Sequence, residues 1–145
     1  MTDTKRIADK VAKRFQTRNP FEIAESLGFD IVYVPLVGIR GFYQQLKRNK
    51  FIYIRNDLCE RDALLVCAHE LGHWFQHRTM NRVFMDTQTH FVTSKYETEA
   101  NKFSACLLYT DDFLEDLIHC STDNVVAVTG LPQPIAKWRM EQIAI

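Results

Sequence analysis

Residues 66–78, VCAHELGHWFQHR, place three histidines, His69, His73 and His77, at successive steps of four, with Glu70 directly behind the first. An α-helix turns about 100° per residue, so His69 and His73 project from one face a turn apart, where two imidazoles can hold one metal ion. Glu70 is rotated off that face by one residue. Its carboxylate then stands beside the ion and is placed to take a proton from water rather than to ligate, the His-Glu-x-x-His logic of zinc hydrolases. With five histidines in 145 residues, a chance occurrence of this spacing with a glutamate in place is about 1%. The match also continues the apolar run Ala63, Leu64, Leu65, Val66, Cys67, Ala68. On a helix buried to that degree, two unpaired histidines would otherwise be an uncompensated polar cost. Asp57, with Glu60 three positions on, is the expected cap of this helix. Gly72 costs roughly 1 kcal/mol of helix propensity against alanine, which implies close approach of another backbone, expected to be the sheet's.

A catalytic zinc takes three protein ligands and leaves one position for water. His77 lies two turns from His69, too far along a straight helix to share an ion with it, and reads as a residue behind the site or on the surface. His90 and His119 have no partner at ligand spacing. SKYETEANKFSACLLY (94–109) offers Glu97 and Glu99 near the start of another helix. Asn101, four residues after Glu97, shares its face and can hydrogen-bond a ligating histidine, whereas the matching position for Glu99 is Phe103. That selects Glu97 as the third ligand. Ser94 and Glu97 also have capping-box spacing, the plain structural use of the same glutamate.

The rest of the chain reads as one unit. A length of 145 residues with 46% hydrophobic content suffices for one core and not for two ordinary domains, so a single domain is expected over 1–145. Residues 4–16 have helical apolar spacing (Ile7, Ala8, Val11, Ala12, Phe15) with basic residues around it. NPFEIAESLGF announces a second helix, with Asn19 as cap, Pro20 at the first position, Glu22 completing a capping box and Gly28 as stop. IVYV (31–34), GFYQQ and FIYI (51–54), the last preceded by the polar turn KRNK, predict a small antiparallel sheet. A helix is expected from about Ser94 to Thr110, then shorter ones at 111–119, 122–129 and 134–143, broken at Gly130 and Pro132. The segment from about 111 to 145 is read as an appended helical cap. Its last two helices have helix-turn-helix rhythm, but only Lys137 and Arg139 supply positive charge on the second, so it reads as a structural cap or partner surface.

Eighteen basic and eighteen acidic residues cancel, which removes the global positive field that non-specific nucleic-acid binding needs; no direct nucleic-acid partner is expected. No apolar run approaches the roughly 20 residues of a membrane span, and the start, MTDTKRIADK, is charged where a signal peptide is apolar; a cytoplasmic protein is expected. Cys59, Cys67, Cys106 and Cys120 sit singly in apolar or helical surroundings and read as reduced core residues.

NPFEIAESLGFDI, Gly41-Phe42-Tyr43 ahead of FIYI, AHELGH and ETEANKFSACLL together resemble the ImmA/IrrE metallopeptidases of bacteria, their phages and mobile elements, over most of the chain. The resemblance implies a gluzincin-like α+β domain in which the zinc helix packs on a small, mainly antiparallel sheet. It implies His69, His73 and Glu97 as metal ligands, Glu70 as the catalytic glutamate, and one Zn2+ or other divalent ion per chain. It also implies a protein substrate, a helix-turn-helix repressor of a phage or mobile element whose cleavage releases that element's genes. The chain departs from the family's usual Leu-Leu-Met-Pro at Leu107-Leu108-Tyr109-Thr110, next to the substrate-side loop. Peptide hydrolysis with Glu70 as proton carrier also needs a donor for the developing oxyanion, for which Tyr43, Tyr96 and Tyr109 are candidates. A second class of function is a zinc-binding regulator that sequesters a transcription factor without cutting it. Glu70 argues for catalysis, because a pure binding site has no use for a base there.

Overall fold

The structure, a computed structural model, describes residues 3–78 and 90–143, with side chains over 4–78 and 95–143. It is mixed α+β, as expected. Helix α1 (Asp3–Phe15) buries Ala8, Val11 and Ala12 and packs against the helix that carries Glu97. Asn19 caps α2 (Pro20–Ser26) by accepting from the Phe21 N–H at 2.9 Å. The reciprocal half of a capping box is absent there: the Asn19 N–H donates to the Thr17 hydroxyl, and that hydroxyl donates to Glu22. Thr17 thus stands between the two partners. Gly28, at φ 87°, ends the turn in the left-handed region that glycine enters at least cost.

Three strands follow, β1 (Phe29–Val34), β2 (Gly41–Leu46) and β3 (Asn49–Arg55), in the order β1-β3-β2. β2 and β3 form the expected antiparallel hairpin around Lys47, which takes φ 56°. β1 pairs with β3 in parallel, from Phe29 opposite Lys50 to Val34 opposite Arg55, so the sheet is mixed rather than mainly antiparallel. Consecutive strands still alternate in direction. Because residues 35–40 carry the chain to the far edge, β3 inserts between β1 and β2, and the first and third strands become neighbours. Alternation of side chains sets which face is buried and leaves strand order open.

The histidine helix α3 (Glu60–His77) lies between this sheet and α4 (His90–Leu108). Its N-cap is Cys59, with no side-chain hydrogen bond. Asp57, the expected cap, is held instead by Arg55, whose Nε donates to it at 2.6 Å. A Cβ added at Gly72 would come within 3.1 Å of the Ala100 backbone and of Phe103 Cβ. The close neighbour is therefore α4 and not the sheet. Sheet and helix meet at Gly41, where an added Cβ would press into Val66 and stand 2.6 Å from the Tyr53 carbonyl oxygen. α4 begins four residues ahead of the expected start; the side chains of Ser94 and His90 lie outside the described residues.

The C-terminal part holds α5 (Asp111–Glu115), shorter than expected, then α6 (Thr122–Thr129) and α7 (Gln133–Glu141). Leu131, Ile135 and Ala136 pack with Leu65 and Ala105 in a second apolar cluster. Arg139 is 2% exposed and donates to Asp111 at 2.7 Å and to the Tyr109 carbonyl at 2.9 Å. One of the two cations on the second helix of this pair is thus spent inside the fold. The departure at 109–110 also acquires a use: the Tyr109 hydroxyl donates to the Thr129 carbonyl at 2.6 Å, and Thr110 caps α5. All four cysteines are free, but only Cys67 and Cys106 are buried; Cys59 and Cys120 are exposed, against the expectation of four core thiols. No described helix is long and apolar enough to cross a membrane.

Candidate metal centre

α3 presents His69 and His73 toward α4, and Glu97 on α4 reaches both. Glu97 Oε2 lies 3.0 Å from His69 Nε2, and Oε1 lies 2.8 Å from His73 Nε2. One atom from each of the three residues falls within 4.8 Å of the others. The imidazoles stand nearly perpendicular, at 84°, with their Nε2 atoms turned to a common point. Behind them, His69 Nδ1 is 2.7 Å from Asn101 Oδ1, the contact expected of a residue one turn after Glu97. Glu99 does not join the three; its nearest histidine contact is His77, at 3.8 Å.

Burial pushes the Glu97 carboxyl upward, but contact with His69 and His73 outweighs it and holds the group well below the usual carboxylate range. For His69 burial acts downward, and the hydrogen bond to Glu97 with the charge of Glu70 raises it on balance. A carboxylate that stays ionised and two imidazole nitrogens converging on it form a donor set suited to zinc or another divalent ion of similar size. Glu70 fits the same picture. It is 4% exposed, and its buried Oε1 has no hydrogen-bond partner among the described residues. Such an oxygen is costly unless water, metal or substrate meets it.

These groups lie in a cavity of about 1190 Å3. Strand β2 lines one side and the Gly130–Pro132 loop another. Among the described residues β2 is an edge strand, bonded only to β3. Of the three tyrosines considered as oxyanion donors, Tyr43 lines the cavity. The Tyr109 hydroxyl is committed to Thr129, and Tyr96 packs its ring on His77 at 4.8 Å. Sequence spacing missed the 130–132 loop, whose turn residues marked a break without showing where it would dock. It also left His77 undecided, although the ring is 3% exposed and its Nδ1 is 3.0 Å from His73 Nδ1.

Two imidazoles and a carboxylate meeting beside a buried glutamate, on an α+β core, put this chain in the class of metallopeptidase-like domains. Residues 24–125 match peptidase family M78, the IrrE N-terminal-like domain, and the chain belongs to this ImmA/IrrE family of metallopeptidases. It is similar to immunity region protein 2 of Bacillus phage phi105, with 34% identity over 135 residues, covering 91% of this chain and 85% of that protein. It is also similar to the metallopeptidase ImmA of Bacillus subtilis (strain 168), with 27% identity over 139 residues, 92% of this chain and 81% of that one.

Proposed function

We propose that the protein is a zinc-dependent endopeptidase that cleaves one intracellular protein, a helix-turn-helix repressor of a phage or mobile element. The observation that carries this is the convergence of His69, His73 and Glu97 within 4.8 Å, next to the buried, unpartnered Oε1 of Glu70 on the cavity wall. His69 and His73 would hold the ion through Nε2 and Glu97 through its carboxylate. A divalent ion bound there supplies Lewis acidity, which acidifies water and polarises a peptide carbonyl. Glu70 takes the proton of the attacking water and returns it to the leaving amine. Asn101 orients His69, and of the three tyrosines weighed as oxyanion donors Tyr43 is the one on the cavity wall.

A protein substrate is supported by a cavity of about 1190 Å3 bordered by an edge strand, which leaves room for a stretch of chain rather than a buried small molecule. The relatives' names support the setting, one an immunity region protein of a phage and the other a metallopeptidase. The balanced charge suits recognition of a protein rather than DNA. We place this action in the cytoplasm, where a repressor meets its operator, and read the chain as one domain with its C-terminal part from about 111 as a cap. Purified protein should carry about one equivalent of zinc by elemental analysis, as expected of a three-ligand site. Metal-free protein that takes up no zinc in titration contradicts the reading.

A further inference from the structure

Each histidine of the pair has a second ring nitrogen turned away from Glu97, and the two are met differently. His69 Nδ1 meets an amide oxygen, Asn101 Oδ1. His73 Nδ1 meets another imidazole nitrogen, Nδ1 of His77, at 3.0 Å. That ring lies one turn further along α3, too far to share an ion with His69 yet within reach of the outer nitrogen of His73. It is buried, it rests on the Tyr96 ring at 4.8 Å, and its Nε2 faces Glu99 Oε2 at 3.8 Å.

Two imidazole nitrogens at hydrogen-bond distance attract only if one carries hydrogen and the other a lone pair. A His73 that gives its Nε2 lone pair to a metal carries its hydrogen on Nδ1, so His73 is the donor and His77 the acceptor. A neutral His77 then carries its own hydrogen on Nε2, the nitrogen turned to the Glu99 carboxylate. The 3.0 Å contact between the two rings fits this arrangement of hydrogens, and the Glu99 carboxylate, 3.8 Å from His77 Nε2 and beyond hydrogen-bond distance, favours it through its charge. We propose that His77 is a positioning residue: by accepting from His73 Nδ1 it fixes which nitrogen of His73 is free and holds that ring in the plane where Nε2 points at the metal. Glu99 acts one step further out, by favouring the hydrogen on the far side of His77. This rests on the reading of His73 as a metal ligand. The third histidine of the run thus has a use, and the two ligands are held by different chemistry, one by an amide and one by a histidine backed by a carboxylate.

The test is a zinc competition titration against a chromophoric chelator, with wild type, His77→Phe and His77→Asn, joined to long-range 1H–15N spectra of the zinc-loaded wild type. His77→Phe keeps a ring against Tyr96 and removes the acceptor, and should weaken zinc binding about 10- to 100-fold, the usual effect of losing such a partner. His77→Asn sets an amide oxygen close to where Nδ1 stood and should recover most of that loss, which a purely packing role would not produce. The spectra should show hydrogen on Nδ1 of His73 and on Nε2 of His77. Zinc binding by His77→Phe equal to wild type, or hydrogen on Nδ1 of His77, overturns the proposal while leaving the ligands standing. A wild type that binds no zinc overturns both readings. The wild-type spectra decide the matter even where the phenylalanine variant does not fold.

Discussion

Glu97 and Glu99 are two residues apart on α4, and the helix turn gives them different neighbours: Glu97 meets His69 and His73 at 3.0 and 2.8 Å, while Glu99 lies 3.8 Å from His77. Their alanine variants should differ accordingly. Glu97→Ala removes the proposed third ligand and should weaken zinc binding in a competition titration by more than the roughly 10- to 100-fold typical of an outer partner; Glu99→Ala should cost less than about 10-fold. The reverse order would move the site by two residues. That Glu97 and Asn101 share a helical face could be read from the sequence, and the structure keeps that geometry, because helical spacing survives folding. His77 could not be settled that way. Spacing says which face a residue is on, and only the packing of α4 against α3 says that the face is closed.

At the scale of elements, α3 is wedged so closely that two glycines mark its contacts. Gly41 allows β2 to lie on Val66, with the Tyr53 carbonyl 2.6 Å from where a Cβ would be; Gly72 allows α4 to approach, with Ala100 backbone at 3.1 Å. Gly41→Ala should be the more destabilising, because backbone of the central strand cannot move aside. Gly72→Ala gains about 1 kcal/mol of helix propensity against an overpacking cost of about 1–3 kcal/mol, so a smaller net loss is expected. Thermal denaturation of the metal-free variants checks the order, and a Gly41→Ala protein as stable as wild type contradicts it. The helices, the hairpin and the need for close approach at Gly72 were legible, since each follows from local pattern. The identity of the neighbour at Gly72, and the insertion of β3 between β1 and β2, depend on how elements meet, which a local pattern does not encode.

Over the whole molecule, the C-terminal helices are joined by a loop that reaches the cavity, and we read them as part of the fold rather than as a DNA surface. The Gly130–Pro132 loop lines the cavity that also holds His69, His73 and Glu97, and Arg139 is buried against Asp111. Arg139→Leu should destabilise the fold by about 2–3 kcal/mol, below the roughly 3–5 typical of breaking a buried pair, because Lys5 remains 2.9 Å from Asp111. Denaturant titration reads this directly, and an unchanged midpoint contradicts it. Random duplex should not be retained by the wild type in filter binding at physiological salt, given a net charge of zero. The helix-turn-helix rhythm in this segment was legible as a pattern of elements, whereas the burial of Arg139 was not, because it depends on a partner, Asp111, 28 residues away.

The central claim is that Glu70 serves a peptidase reaction at a loaded metal site. It is tested most directly by co-expressing wild type or Glu70→Gln with a helix-turn-helix repressor of the same mobile element and measuring the repressor's mass. Wild type should yield two fragments from a single cut. Glu70→Gln, which keeps its zinc but has an amide where a base is needed, should leave the repressor whole. Cleavage by Glu70→Gln at the wild-type rate would contradict the account, and so would an intact repressor held in a stable complex with zinc-loaded wild type, which is the behaviour of a regulator that binds without cutting.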